Sequence, residues 1–172
     1  MILVAAAGAL YILLAYFICF FVLLSIMIIP KTIKKKRINK KIENLANNTM
    51  EITPEEFIKM RNANFDNYHS SYIGKQNFAG VYILFNQTKN MYYVGQAQKI
   101  FDRVNSHFTG KGNGDVYADY KYGDKFTIKM IALKNSGFST LNELERNTIA
   151  KYNSYYKGYN KTRGNKGWFC VC

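Results

Sequence analysis

"GVYILFNQTKNMYYVG", Gly80 to Gly95, sets two strand-like runs of apolar and aromatic residues either side of a polar turn, and each half pairs a tyrosine with a glycine. The β-forming residues predict a hairpin whose turn is "QTKN", residues 87–90. An even-length loop such as "QTKN" or "TK" puts Tyr82 and Tyr93 on one sheet face as diagonal neighbours, about 7–8 Å apart at Cα. An odd-length loop separates them. Taken alone, two hairpin tyrosines are ordinary cross-strand packing, so their meaning depends on what the rest of the chain brings to them.

The chain continues with "KIFDRVNSHF", which repeats apolar residues at helical spacing. Ile100, Phe101, Val104 and Phe108 form its stripe, Arg103 lies at the border, and His107 falls inside it one turn on from Arg103. "GKGNGD" breaks this helix, "VYADYKY" reads as a brief one, and "KFTIKMIAL" alternates as a third strand. "TLNELERNTIAKYN" closes the pattern with a helix in which Thr140 and Glu143 form a capping box. On that helix Leu141, Leu144, Thr148, Ile149 and Tyr152 share a stripe, Glu145 falls within it, and Glu143 points away. A carboxylate on a packing face is costly unless a basic side chain or a metal ion compensates it. Upstream, "TPEE" predicts a short helix through about Met60, with Thr53 as N-cap, Pro54 at the first position and Glu56 closing a second capping box. These pieces make an α+β domain, a small three-stranded antiparallel sheet flanked by helices.

The amino-terminal run from Ile2 to Pro30 holds no charge, and Ser25 is its only conventional polar side chain. A bilayer core needs about 20 such residues as a helix. A signal peptide would need a basic n-region and a short apolar core before a small-residue cleavage site, so residues 1–30 read as an uncleaved transmembrane helix. Residues 31–41, "KTIKKKRINKK", carry seven bases and no acid, which by the positive-inside rule puts the amino terminus outside and the soluble domain on the cytoplasmic side. Cys19 lies in the apolar run, and Cys170 and Cys172 end the chain, which is no disulfide framework.

The formal net charge is +13; without the seven juxtamembrane bases, 17 basic residues face 11 acids. That excess suits a polyanion, nucleic acid first and anionic lipid second. The basic run itself reads as a topology determinant at the lipid headgroups. Residues 31–52 are expected to be this segment plus a linker or frayed helix extension ("IENLANNTMEI"). Residues 53–77 form the short helix and a connector, and residues 78–172 the folded domain with its basic tail.

At the residue level the soluble domain resembles the GIY-YIG endonucleases. The resemblance rests on "GVY" at 80–82, "YVG" at 93–95, Arg103 eight residues past Gly95, His107, Glu145 in "LERNTIAKY" and Asn160 in "GYN". It covers about Phe78 to Asn165. Valine replaces isoleucine in both triplets, and Gln96 stands where some members have a lysine that helps activate a phenol. The resemblance implies metal-dependent phosphodiester hydrolysis, with these polar side chains converging on one phosphate. Glu145 would ligate a single divalent cation, Mg²⁺ or Mn²⁺, and Arg103 would steady charge on the phosphate oxygens. Tyr82 would take a proton from water, Tyr93 and His107 would shape the site, and Asn160 would hold backbone or substrate. A phenol with a pKa of about 10 needs adjacent positive charge to act as a base at neutral pH.

The expected function is a membrane-anchored DNA endonuclease of low or structure-guided sequence preference, acting on incoming DNA and held to the bilayer through residues 2–30. The alternatives are a tethered nucleic-acid-binding module that does not cut, and a membrane interaction protein. Lys161, Arg163 and Lys166 are placed to touch phosphate. His69 reads as a solvated loop residue, and Trp168 as packing for the terminal tail rather than a base-stacking group.

Overall fold

The computed structural model describes residues 2–62 and 77–165, so His69, Lys166, Trp168, Cys170 and Cys172 lie outside the described residues. The elements run α1 (Ile2–Asn47), α2 (Pro54–Asn62), β1 (Gly80–Asn86), β2 (Met91–Ala97), α3 (Ile100–Phe108), α4 (Gly114–Lys121), β3 (Phe126–Ala132), α5 (Leu141–Tyr152) and α6 (Ser154–Lys157). The chain divides into two units, residues 1–40 and 41–172.

In the first unit α1 runs through Pro30, and the large apolar side chains from Leu14 to Leu24 are exposed, among them Tyr16 at 72% and Phe17 at 65%. A helix apolar on all sides gains nothing from water, and its length and composition make it a candidate membrane span.

In the second unit the sheet order is β2-β1-β3, and both pairings are antiparallel. The loop of residues 87–90 is even in length, with Asn90 in the left-handed region (φ 54°) and the Asn86 side chain accepting from the Lys89 N–H at 3.0 Å. Alternation then sorts the strands' side chains onto two faces. On one, Tyr82, Leu84, Ile128 and Met130 pack with Phe57, Ile100, Val104 and Phe108 from α2 and α3. On the other, Val81, Ile83, Val94 and Ile131 pack with Leu144 and Ile149 from α5.

The last turns of α1 join that second face. Ile42 and Ala46 are fully buried and helix continues to Asn47, so of the two readings for this stretch the helix extension is what forms, packed into the core. Ile52 then pairs with Ile128 on the outer edge of β3 (3.1 and 2.8 Å), which covers an edge that would otherwise present bare amides.

The helix starts follow their caps. Thr53 and Glu56 bond reciprocally at 3.2 and 2.8 Å. At α5 the Thr140 hydroxyl accepts from the Glu143 N–H at 3.1 Å, but the Glu143 carboxylate reaches the Ser139 N–H rather than that of Thr140, so the box closes one residue early. Helix α3 has no cap of its own at Lys99; the Asn77 side chain, which precedes β1, accepts from the Phe101 N–H at 2.8 Å.

Candidate active site

Register decides the first group of residues. Tyr82 lies opposite Gly95 and Leu84 opposite Tyr93, so the two phenols share a face diagonally, with ring centroids 6.1 Å apart. The glycine of the second triplet follows directly. A Cβ at Gly95 would run into the Tyr82 hydroxyl, so only glycine lets that ring lie over the strand. Tyr82 is buried (1% exposed), whereas Tyr93 is half-buried.

Helix α3 brings two more groups to this face. Its apolar stripe anchors it, and His107, in that stripe, is fully buried. The histidine Nε2 lies 2.9 Å from the Tyr82 hydroxyl, and Nδ1 accepts from the Asn113 backbone N–H at 2.9 Å. A backbone amide can only donate, so Nδ1 is the bare nitrogen and the neutral ring carries its hydrogen on Nε2, aimed at the Tyr82 oxygen. Burial, and after it the Arg103 charge, pull the His107 pKa down to about 4, which keeps the ring neutral. The ring also sets its own loop: a Cβ at Gly112 would meet its Nδ1 side.

Arg103, exposed and one turn before His107, extends its guanidinium to both phenols. Burial pushes the Tyr82 pKa well up and Tyr93 adds to the rise, while Arg103 pulls the other way. The resulting order of donors is directional. Asn113 donates to His107 and His107 donates to Tyr82, with Tyr93 and Arg103 beside that phenol.

Glu145 heads a second group. It is 8% exposed on α5, and its Oε2 accepts from the Gln96 side-chain amide at 3.1 Å and from the Asn165 backbone N–H at 3.3 Å. The same Gln96 nitrogen donates to the Asn142 Oδ1 at 2.5 Å. Burial raises the Glu145 pKa, against the bonds from Asn165 and Gln96. Gln96, expected only as a missing lysine, therefore holds the carboxylate. Glu145 has no ion pair among the described residues. Its donor set is one carboxylate with neutral neighbours, and no group of three or more His, Cys, Asp or Glu forms among the described residues. That set fits Mg²⁺, which takes one or two carboxylates and fills its remaining positions with water and phosphate oxygens.

The two groups are carried on opposite faces of β2. Gly95 and Gln96 are consecutive on β2 and face opposite ways, so Tyr82, Tyr93, Arg103 and His107 meet on one face while Glu145 sits with Gln96 beyond the other. They share the end of β2, which is an edge strand. Along that edge Asn160 clasps Val94, its side chain accepting from the Val94 N–H at 2.9 Å and donating to the Val94 carbonyl at 2.7 Å, while the Tyr159 N–H reaches the Tyr92 carbonyl at 2.9 Å. Asn160 thus holds strand backbone.

Two of the expected phosphate contacts have partners within the protein. Lys161 pairs with Asp115 at 2.6 Å, and Arg163 lies over the Tyr155 and Tyr156 rings and donates to the Tyr156 hydroxyl. Asn113, Gly112 and Asn142 were invisible to spacing, because each matters only through a contact with a residue distant in sequence or brought near by a turn.

The family model described as the GIY-YIG catalytic domain matches residues 78–160. No curated protein and no solved structure matches the chain.

Proposed function

Residues 78–160 belong to the GIY-YIG catalytic domain family, a nuclease family, and from that premise we propose that the chain is a divalent-metal-dependent DNA endonuclease tethered to a membrane. The observation that carries the reading is the pair of groups at the end of β2. Arg103 lies against two phenols on one face, and beyond the other lies a buried carboxylate with no cation paired to it among the described residues.

In this reading Tyr93 accepts the proton of the attacking water. The preference for Tyr82 that the sequence suggested weakens because Tyr82 is buried and its pKa is raised. Tyr93 is the more accessible phenol, and it packs beside Tyr82, where the donor chain from Asn113 through His107 ends. Arg103, beside both phenols, faces the phosphate oxygens from the solvent side. Glu145 would hold the cation, oriented by Gln96 and by Asn142 behind it. When bound there, Mg²⁺ or Mn²⁺ supplies charge to the phosphate and leaving oxygens. Asn160 keeps the edge of β2 in place while the groups on its two sides act.

The tether follows from α1. With its apolar turns in a bilayer and the seven bases of residues 31–41 on the cytoplasmic side, the domain would meet DNA at the inner membrane face, for instance incoming DNA.

The test is cleavage of plasmid and single-stranded DNA by the full chain in detergent, with Mg²⁺ and with chelator. Cleavage should need the metal and be abolished in R103A and E145Q. Y93F should lose about 10²–10⁴-fold in rate, and more than Y82F. DNA binding without cutting under all conditions would leave a binding module, and an R103A protein that still cuts would sink the assignment.

A further inference from the structure

Between Glu145 and Asn165 the chain carries five basic side chains and no acid, interleaved with Tyr152, Tyr155, Tyr156 and Tyr159. Lys151 is tied to Glu43 (2.9 Å) and Lys161 to Asp115 (2.6 Å). Arg146, Lys157 and Arg163 form no ion pair among the described residues. Within this stretch Tyr156 is 68% exposed yet braced from two sides. Tyr155 packs against it edge to face, with ring centroids 4.8 Å apart at 74°. The Arg163 guanidinium lies 5.2 Å from its ring centre and bonds its hydroxyl. An aromatic ring this open contributes little to the core, while its fixed orientation lowers the entropy cost of binding something flat.

Its position ties it to the carboxylate. Two residues after Arg163, the Asn165 N–H bonds Glu145, so the brace and the carboxylate contact are separated by at most about 7 Å of chain. Between them Gly164, at φ +91°, packs against the Arg146 stem and beside the Glu145 carboxylate.

We propose that Tyr156, braced by Arg163, is a stacking platform for a nucleobase of a single-stranded segment of nucleic acid whose phosphate lies toward Glu145. This inference rests on the nuclease reading for its choice of polyanion and names the substrate form that reading leaves open. A base in a duplex already stacks on its neighbours, whereas an unpaired base presents a free face to an aromatic ring beside a cation. The acid-free stretch supplies the complementary charge for the phosphates on either side.

The experiment uses the full chain in zwitterionic lipid nanodiscs with chelator present, so that binding is read without cutting. Anisotropy of a short labelled single strand and of a duplex of the same length is measured for wild type, Y156A, Y156L and Y156F. Y156A and Y156L should bind the single strand about 5- to 150-fold more weakly, the equivalent of one base–aromatic stack, and the duplex nearly as wild type does. Y156F keeps the ring and should retain the affinity. Unchanged single-strand binding by Y156A, or an equal loss on duplex, overturns the platform. So does a loss seen only on vesicles containing phosphatidylserine, which would make the surface a lipid contact. Cleavage by wild type with Mg²⁺, run in parallel, separates the two readings: Tyr156-dependent binding without any cleavage sinks the nuclease and leaves the platform. Cleavage with Tyr156-independent binding does the reverse.

Discussion

His107 and Glu145 are buried titratable groups whose pKa values move in opposite directions from their ordinary ranges, and each makes stability depend on pH. For His107 the folded pKa, about 4, lies below the unfolded value of about 6.5. The unfolded chain therefore takes up the proton first, and stability should fall as pH drops from about 6.5 to about 4, by about 3 kcal/mol if the ring is then fully protonated. Denaturant melts across that window should show the loss in wild type and a flatter profile in H107Q; equal profiles would mean the ring is not held neutral between Tyr82 and Asn113. Glu145 has a raised folded pKa, so its ionisation costs stability as pH rises through that value. In chelator at neutral pH, E145Q should melt above wild type, because the amide can still accept from Gln96 and Asn165 without burying a charge. Added Mg²⁺ should raise the melting temperature of wild type and leave E145Q where it is. An equal response in both proteins would remove Glu145 as the ligand.

At the scale of elements, the site depends on how α3 and β2 are held. Helix α3 carries both Arg103 and His107, yet its first turn is capped by Asn77 from outside the helix. Replacing Asn77 with alanine should cost about 1 kcal/mol of stability and lower cleavage more than a surface substitution of equal cost, since both side chains shift with that turn. Thermal melts and rates on the same preparations check this. On β2, G95A puts a methyl group against the Tyr82 hydroxyl and should destabilise by about 1–3 kcal/mol through overpacking. A G95A protein as stable as wild type would show that the ring lies elsewhere.

Across the whole molecule, the polar segment after the basic run is structural. Ala46 from α1 is in the same core as Leu144 and Ile149 and Ile42 is fully buried, so the helix that begins as a candidate membrane span ends within the second unit. I42A should lose about 2–5 kcal/mol. A fragment starting at residue 48 should fail to show the cooperative melt given by one starting at residue 31. If the shorter fragment melts as sharply, the last turns of α1 are dispensable to the fold.

Much of this was legible in the chain itself, because it depends on neighbours within a turn or a hairpin. The apolar span, the caps at Thr53 and Thr140, the strand and helix periods, the shared face of Tyr82 and Tyr93, and the odd inward placement of Glu145 all follow from local spacing. Tertiary structure alone decided the rest. It put the phenols and Glu145 on opposite faces of β2, turned Gln96 from a missing charge into the donor that holds Glu145, and fixed the His107 tautomer through Asn113. It also paired Lys161 with Asp115 and drew the end of α1 into the core. Each of those is a contact between side chains or backbone groups whose meeting depends on how faces and edges pack, and sequence spacing carries no record of which hydrogen-bond donor will arrive at a given acceptor.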